Sequence, residues 1–136
     1  SVISGLRHLA TGEVYEAHEF AGWNTALMCA IGNPHAFADD ILQAGINIIS
    51  ENFFRDHHDF TQQDFDLVLK AARDTGADAI VTTEKDAARL ECVELGDFPI
   101  YAARLKIESE DEVRLKSLLL RMVSEAGRKK QPASQS

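Results

Sequence analysis

The chain is short of the residues that staple small domains together. It has two cysteines, Cys29 and Cys92, and they form no C-x-x-C pair. A disulfide framework and a finger-type zinc site are therefore excluded. Cys29 lies in an apolar run and Cys92 near a helical segment, the pattern of reduced thiols in a cytosolic protein. No apolar stretch approaches the roughly 20 residues of a membrane-spanning helix, and no signal-peptide pattern is present. Positive charge is also scarce. Lys and Arg number 14 against 22 Asp and Glu, a formal net charge of −8. That balance argues against a duplex nucleic-acid binder, which needs a basic face to neutralise phosphates.

Several catalytic signatures are missing as well. No glycine is followed by lysine, so the phosphate-cradling G-x-x-x-x-G-K-[ST] loop is absent. G-x-G-x-x-G, G-x-S-x-G and H-E-x-x-H are absent too. A nucleotide handled by this chain takes most of its phosphate grip from another domain.

What is present is an alternation of short β-like runs with longer helical ones. A length of 136 residues with 45% hydrophobic content suits one domain with a core of its own. Thr25–Ile31 is apolar throughout, as expected of a strand buried on both faces. Asn33 then caps a helix with Pro34 at its first position, running to about Ala44 and stopped by Gly45. A second strand spans Ile46 to about Ser50. A second helix opens at Thr61 with Asp64 three residues on, carries Phe65, Val68, Leu69 and Ala72 on one face, and ends at Gly76. A third strand, Ala79–Thr82, leads to a short helix over Lys85–Glu91, and Pro99–Ala102 is a fourth strand. Ser109 and Glu112 open a last helix, closed by Gly127. This order indicates βαβ units and a small Rossmann-like three-layer α/β domain with a mostly parallel sheet. Strand order is not legible. Residues 1–22 are expected to form a hairpin-like arm outside the sheet, with Thr11-Gly12-Glu13 as its turn. Residues 23–126 form the lobe, and 127–136 a disordered polar tail.

Three strand-to-helix turns carry candidate chemistry. The loop Arg55-Asp56-His57-His58-Asp59-Phe60 packs two imidazoles and two carboxylates together. A histidine accepts and returns protons near neutral pH, and a carboxylate can orient it. The loop is equally compatible with an ordinary polar turn capped by Asp56. Adjacent rings rarely aim at one ion, so a metal site on His57 and His58 is disfavoured. Thr82-Thr83-Glu84-Lys85-Asp86 presents backbone N–H groups and the Lys85 ammonium, a setting for phosphate, though Thr83 with Asp86 is also a plain capping pair. Ile31-Gly32-Asn33-Pro34 lets a ligand approach the backbone at Gly32, or simply starts a helix. In a parallel sheet these turns share one edge.

Together, in this order and spacing, these pieces resemble the C-terminal part of the tetraacyldisaccharide 4′-kinase family, the lipid A 4′-kinases. The matching segments are Leu6-Arg7-x-Leu9-x-Thr11-Gly12-Glu13-Val14, Ile31-Gly32-Asn33-Pro34 with Phe37, Asp56-His57 with Phe60-Thr61, and Thr83-Glu84-Lys85-Asp86-Ala87. The resemblance covers about residues 3–122. It departs at Ala30, where the family usually has the first glycine of Gly-Ile-Gly.

The resemblance implies transfer of the ATP γ-phosphoryl group, with Mg²⁺, to the 4′-hydroxyl of tetraacyldisaccharide 1-phosphate, giving lipid IVA. It implies two Rossmann-like lobes joined by an extended linker. The N-terminal lobe carries the Walker-type loop, the membrane contact and the catalytic aspartate. This chain would begin in the linker, as a fragment or a separately expressed lobe, inactive alone. The full enzyme would sit in the cytoplasm at the inner face of the inner membrane. His57 is the implied partner of that aspartate and Asp56 orders its loop. Gly32, Asn33, Thr83, Glu84, Lys85 and Asp86 would face nucleotide or substrate. No metal ligand set is expected within the chain. Two alternatives stay open: a metal-dependent phosphoesterase of the Asp-His-His type, whose upstream acids Asp39, Asp40 and Glu51 make a poor ligand set, and a non-catalytic docking lobe.

Overall fold

The computed structural model of the protein describes residues 2–106, 114 and 117–122. The chain divides into a unit Ser1–Lys106 and a second unit Ile107–Ser136. Of the latter, residues 114 and 117–122 are helical. The remainder of the expected last helix, and the tail at 127–136, lie outside the described residues.

The first unit is an α/β domain on a six-stranded sheet. Its strands are β1 (Val2–His8), β2 (Val14–Tyr15), β3 (Asn24–Cys29), β4 (Asn47–Phe53), β5 (Ala79–Thr83) and β6 (Ile100–Lys106). They lie in the order β2-β1-β6-β5-β3-β4. The pairs β3–β4, β3–β5 and β5–β6 are parallel, while β1 pairs antiparallel with both β2 and β6. The sequence therefore yields the mostly parallel three-layer domain it promises.

Helix starts and stops obey local chemistry. Helix α1 (Pro34–Gln43) begins where the Asn33 side chain accepts from Ala36 N, with Pro34 at the position whose missing N–H costs nothing. Helix α2 (Gln62–Thr75) opens with a reciprocal capping box between Thr61 and Asp64 and ends at Gly76 in the left-handed region (φ 77°). Helix α3 (Glu84–Ala88) is shorter than the spacing predicts, because the chain turns at Arg89 and delivers Leu90 and Val93 to the core.

The two helical layers have separate cores. Phe37, Ala38 and Ile41 of α1 pack on Leu27, Cys29 and Val81 on one sheet face. Phe65, Val68 and Ala72 of α2, with Leu90 and Val93, pack on Ala26, Met28, Ile80 and Ile100 on the other. β5 is buried along its whole length, which is why it reads as a continuous apolar run.

The amino-terminal arm corrects one expectation. Its hairpin exists, but it belongs to the sheet. β1 completes the free edge of β6 from His8↔Tyr101 to Val2↔Lys106, so β6 runs four residues past the expected Ala102. A register shift between Ile3 and Gly5 lets the arm follow this edge. Gly5 is required there, since a Cβ would lie 2.8 Å from the Tyr15 carbonyl oxygen.

The topology also positions a site. From β3 the chain moves outward to β4, then returns past β3 to β5 and on to β6. Connections leaving β3 and β5 thus run in opposite directions. The crevice between their carboxyl ends is the topological switch point, where open α/β sheets bind ligands.

Candidate functional site

Asp86 sits at that switch point and is fully buried. One carboxylate oxygen, Oδ2, accepts from Ala30 N at the end of β3 (3.1 Å) and from Thr83 Oγ1 at the end of β5 (2.8 Å). Thr83 Oγ1 in turn accepts from Asp86 N at 3.0 Å. The carboxylate therefore bolts two strand ends together. Its other oxygen, Oδ1, makes no hydrogen bond, and the Arg89 guanidinium lies 3.7 Å away.

Arg89 carries the arrangement outward. Its Nη1 donates to the Ala30 carbonyl at 3.4 Å, and its Nη2 lies 2.9 Å from His57 Nδ1. The backbone N–H of His57 donates to the same Ala30 carbonyl at 3.2 Å. Among the described residues His57 is the one non-glycine residue with positive φ, at 63°. Histidine tolerates that region better than most residues, and its occurrence beside a ligand crevice is a functional signal. The ring is 68% exposed, so a partner can reach it.

The remaining predicted residues take different places. Asp56 Oδ2 is 3.7 Å from His57 Nε2, beyond a hydrogen bond, and 3.4 Å from where a Cβ on Gly32 would stand. A Cβ at position 32 would thus meet Asp56 in ordinary van der Waals contact, so Asp56 leans over the first turn without requiring a glycine there. Asn33 is spent on capping α1. Glu84 is held by a two-pronged ion pair with Arg7 (2.7 Å at its shortest) and faces Arg104 at 3.6 Å. It ties β1 to the start of α3, and its hydrogen bonds are the main cause that raises the Arg7 pKa. Lys85 is exposed and has no ion-pair partner among the described residues. His58 diverges from His57: its Nε2 bonds Asp64 Oδ2 at 2.7 Å and its ring stacks on Phe54. The two imidazoles do not converge, and no group of three His, Cys, Asp or Glu side chains among the described residues forms a metal-ligand set.

Sequence reasoning brings the three turns to one edge but misses Arg89. Its spacing from Asp86 announces only an i,i+3 pair, and nothing local announces His57, 32 positions away. Ala30 acts through its backbone N–H and C=O, which alanine supplies as well as glycine. Nearby, burial first and the Asp86 charge second push the Cys29 thiol up to about 12.

A doubly wound α/β lobe with its polar turns gathered at the switch point defines a small Rossmann-like domain. Residues 3–124 match the model of the tetraacyldisaccharide-1-P 4′-kinase family, and the chain belongs to that family. It is similar to three relatives that carry the name tetraacyldisaccharide 4′-kinase. The Nitrobacter hamburgensis protein is 38% identical over 72% of this chain and 30% of its own length. Those of Koribacter versatilis and Halothermothrix orenii are 36% and 37% identical over 61% and 52% of this chain. The chain spans only 18–30% of the length of these relatives. No solved structure matches it significantly.

Proposed function

We propose that this chain is the C-terminal lobe of a lipid kinase that transfers the ATP γ-phosphoryl group to the 4′-hydroxyl of tetraacyldisaccharide 1-phosphate. Family membership supports the reaction class, and the small share of its relatives' length supports a missing second lobe. The observation that carries the site is the anchoring of an exposed His57, at positive φ, on the Ala30 carbonyl and on Arg89.

In this reading the other lobe brings the phosphate loop, the catalytic carboxylate and the membrane contact. The full enzyme works at the cytoplasmic face of the inner membrane. ATP supplies the transferred phosphoryl group. Mg²⁺ would be held mainly by the other lobe and the phosphates of ATP. The task of His57 is to hold the carboxylate that deprotonates the sugar hydroxyl, while Asp56 shapes the loop and Lys85 faces the incoming phosphates. Phosphoryl transfer depends on positioning and charge neutralisation rather than covalent chemistry by the protein, so a half-site of this kind is useful only when the cleft is complete.

The test is a transfer assay on a protein carrying both lobes. The 136-residue chain alone shows no transfer, the two-lobe protein transfers phosphate, and His57→Ala lowers turnover about 10²–10⁴-fold, the usual range for a residue assisting proton transfer. Near-normal turnover in that variant removes His57 from the site. The phosphoesterase alternative finds no support in the divergence of His57 and His58, and Mn²⁺ calorimetry on the chain decides it.

A further inference from the structure

We propose that Arg89 is a positioning residue that fixes His57 as its Nε2–H tautomer, so that the ring meets its partner across the cleft as a hydrogen-bond donor. The proposal rests on the kinase reading for the identity of that partner, a carboxylate of the other lobe. The tautomer follows from this chain alone.

A guanidinium has five N–H donors and no acceptor. At 2.9 Å from Arg89 Nη2, His57 Nδ1 must offer its lone pair. A neutral imidazole carries one N–H, and here it can only be on Nε2. Arg89 is not free to release the ring. Its Nη1 is engaged by the Ala30 carbonyl and lies 3.7 Å from the buried Asp86 carboxylate, and its side chain is 22% exposed. The His57 backbone is tied to the same carbonyl. Ring and backbone therefore share one anchor, which Asp86 in turn fixes to β3 and β5.

Among the described residues the nearest carboxylate to Nε2 is Asp56 at 3.7 Å, too far to bond it. The Nε2–H is thus left for an acceptor that comes from outside. A ring in this state does not take the hydroxyl proton. It donates to the carboxylate and orients it, and the carboxylate acts as the base.

The experiment is a long-range ¹H–¹⁵N spectrum of the ¹⁵N-histidine-labelled 136-residue chain, at a pH where its imidazoles are neutral. His57 is assigned by the signals lost in His57→Ala. The expected pattern is a bare Nδ1 and a protonated Nε2. A proton on Nδ1, or an averaged mixture of both tautomers, overturns the proposal without any further variant. Arg89→Met should convert His57 to a mixture, and Arg89→Lys should restore the Nε2–H form in part. An Nε2–H form unchanged in Arg89→Met shows that Arg89 does not fix it and likewise overturns the proposal. His58, held by Asp64, is the internal control and keeps its pattern in both variants.

In the two-lobe protein, Arg89→Met should lower kcat about 10–100-fold with little change in KM, as loss of an outer partner of a functional histidine does. Absence of transfer by the intact two-lobe protein would defeat the kinase reading and leave the tautomer result standing. A wrong tautomer would do the reverse.

Discussion

The same four-residue pattern, Thr-x-x-Asp, starts two helices in this domain, and the two copies do different jobs. At α2, Thr61 and Asp64 form a reciprocal box: Thr61 Oγ1 accepts from Asp64 N and Asp64 Oδ2 accepts from Thr61 N. At α3, Thr83 Oγ1 likewise accepts from Asp86 N, but the carboxylate turns away to Ala30 N on a neighbouring strand. Each aspartate also governs one of the adjacent histidines. Asp64 bonds His58 directly, whereas Asp86 faces the arginine that holds His57. The difference lies in burial. Asp64 stands at the open start of a 14-residue helix, while Asp86 is enclosed between β3 and β5. A capping motif gains a second task, joining two strand ends, when the sheet places a second strand end within its reach.

The comparison breaks most sharply at Asp86. Asp86→Ala strands the buried Ala30 N–H and leaves Arg89 without its carboxylate, a loss of about 3 kcal/mol by the usual cost of unsatisfied buried groups. Chemical denaturation measures it. Cys29 provides a local readout, because its burial at the end of β3 pushes the thiol up to about 12 and keeps it inert. In Asp86→Ala, Cys29 should be alkylated far faster under native conditions, while Asp64→Ala leaves its rate unchanged. Equal rates in the two variants would show that the α3 cap is no more than a cap.

A smaller effect separates the threonines. Thr61→Ala removes one cap bond, worth about 1 kcal/mol. Thr83→Ala removes the same bond and also the hydroxyl donor to Asp86 Oδ2, in a site closed to water. It should cost about 1 kcal/mol more than Thr61→Ala. Denaturation of the pair checks the difference, and identical losses would mean that water replaces the missing donor.

Much of this is legible from local chemistry. Asn33-Pro34, Thr61 with Asp64, and Gly76 mark helix ends because caps depend on residues three or four apart. The buried runs at β3 and β5 announce a parallel sheet because both faces are covered. The rest depends on contacts that span the chain. Gly5 says nothing in sequence about β1 closing the edge of β6, some hundred residues away. The two Thr-x-x-Asp segments are indistinguishable until the strand order sets β3 beside β5. His57 is singled out by its sequence neighbours, yet the group that orients it, Arg89, belongs to another turn.

The smallest effect concerns pH, and it tests whether the α2 box is an independent device. The Asp64 carboxyl is held below its ordinary value of 3.8, first by the Thr61 backbone N–H and then by the His58 ring. A lowered folded pKa means that the unfolded chain binds the proton more readily. The box therefore contributes its stability above about pH 4, and loses it as pH falls from there through the lower folded value. Wild-type protein and Asp64→Asn should differ by about 1 kcal/mol near neutrality and converge under acid. Thermal melts across that window measure the convergence. Over the same acid range the Ala30 amide, which donates to Asp86, should stay protected from hydrogen exchange. If that amide opens in step with the loss of the Asp64 box, the two caps act as one unit and the distinction between them fails.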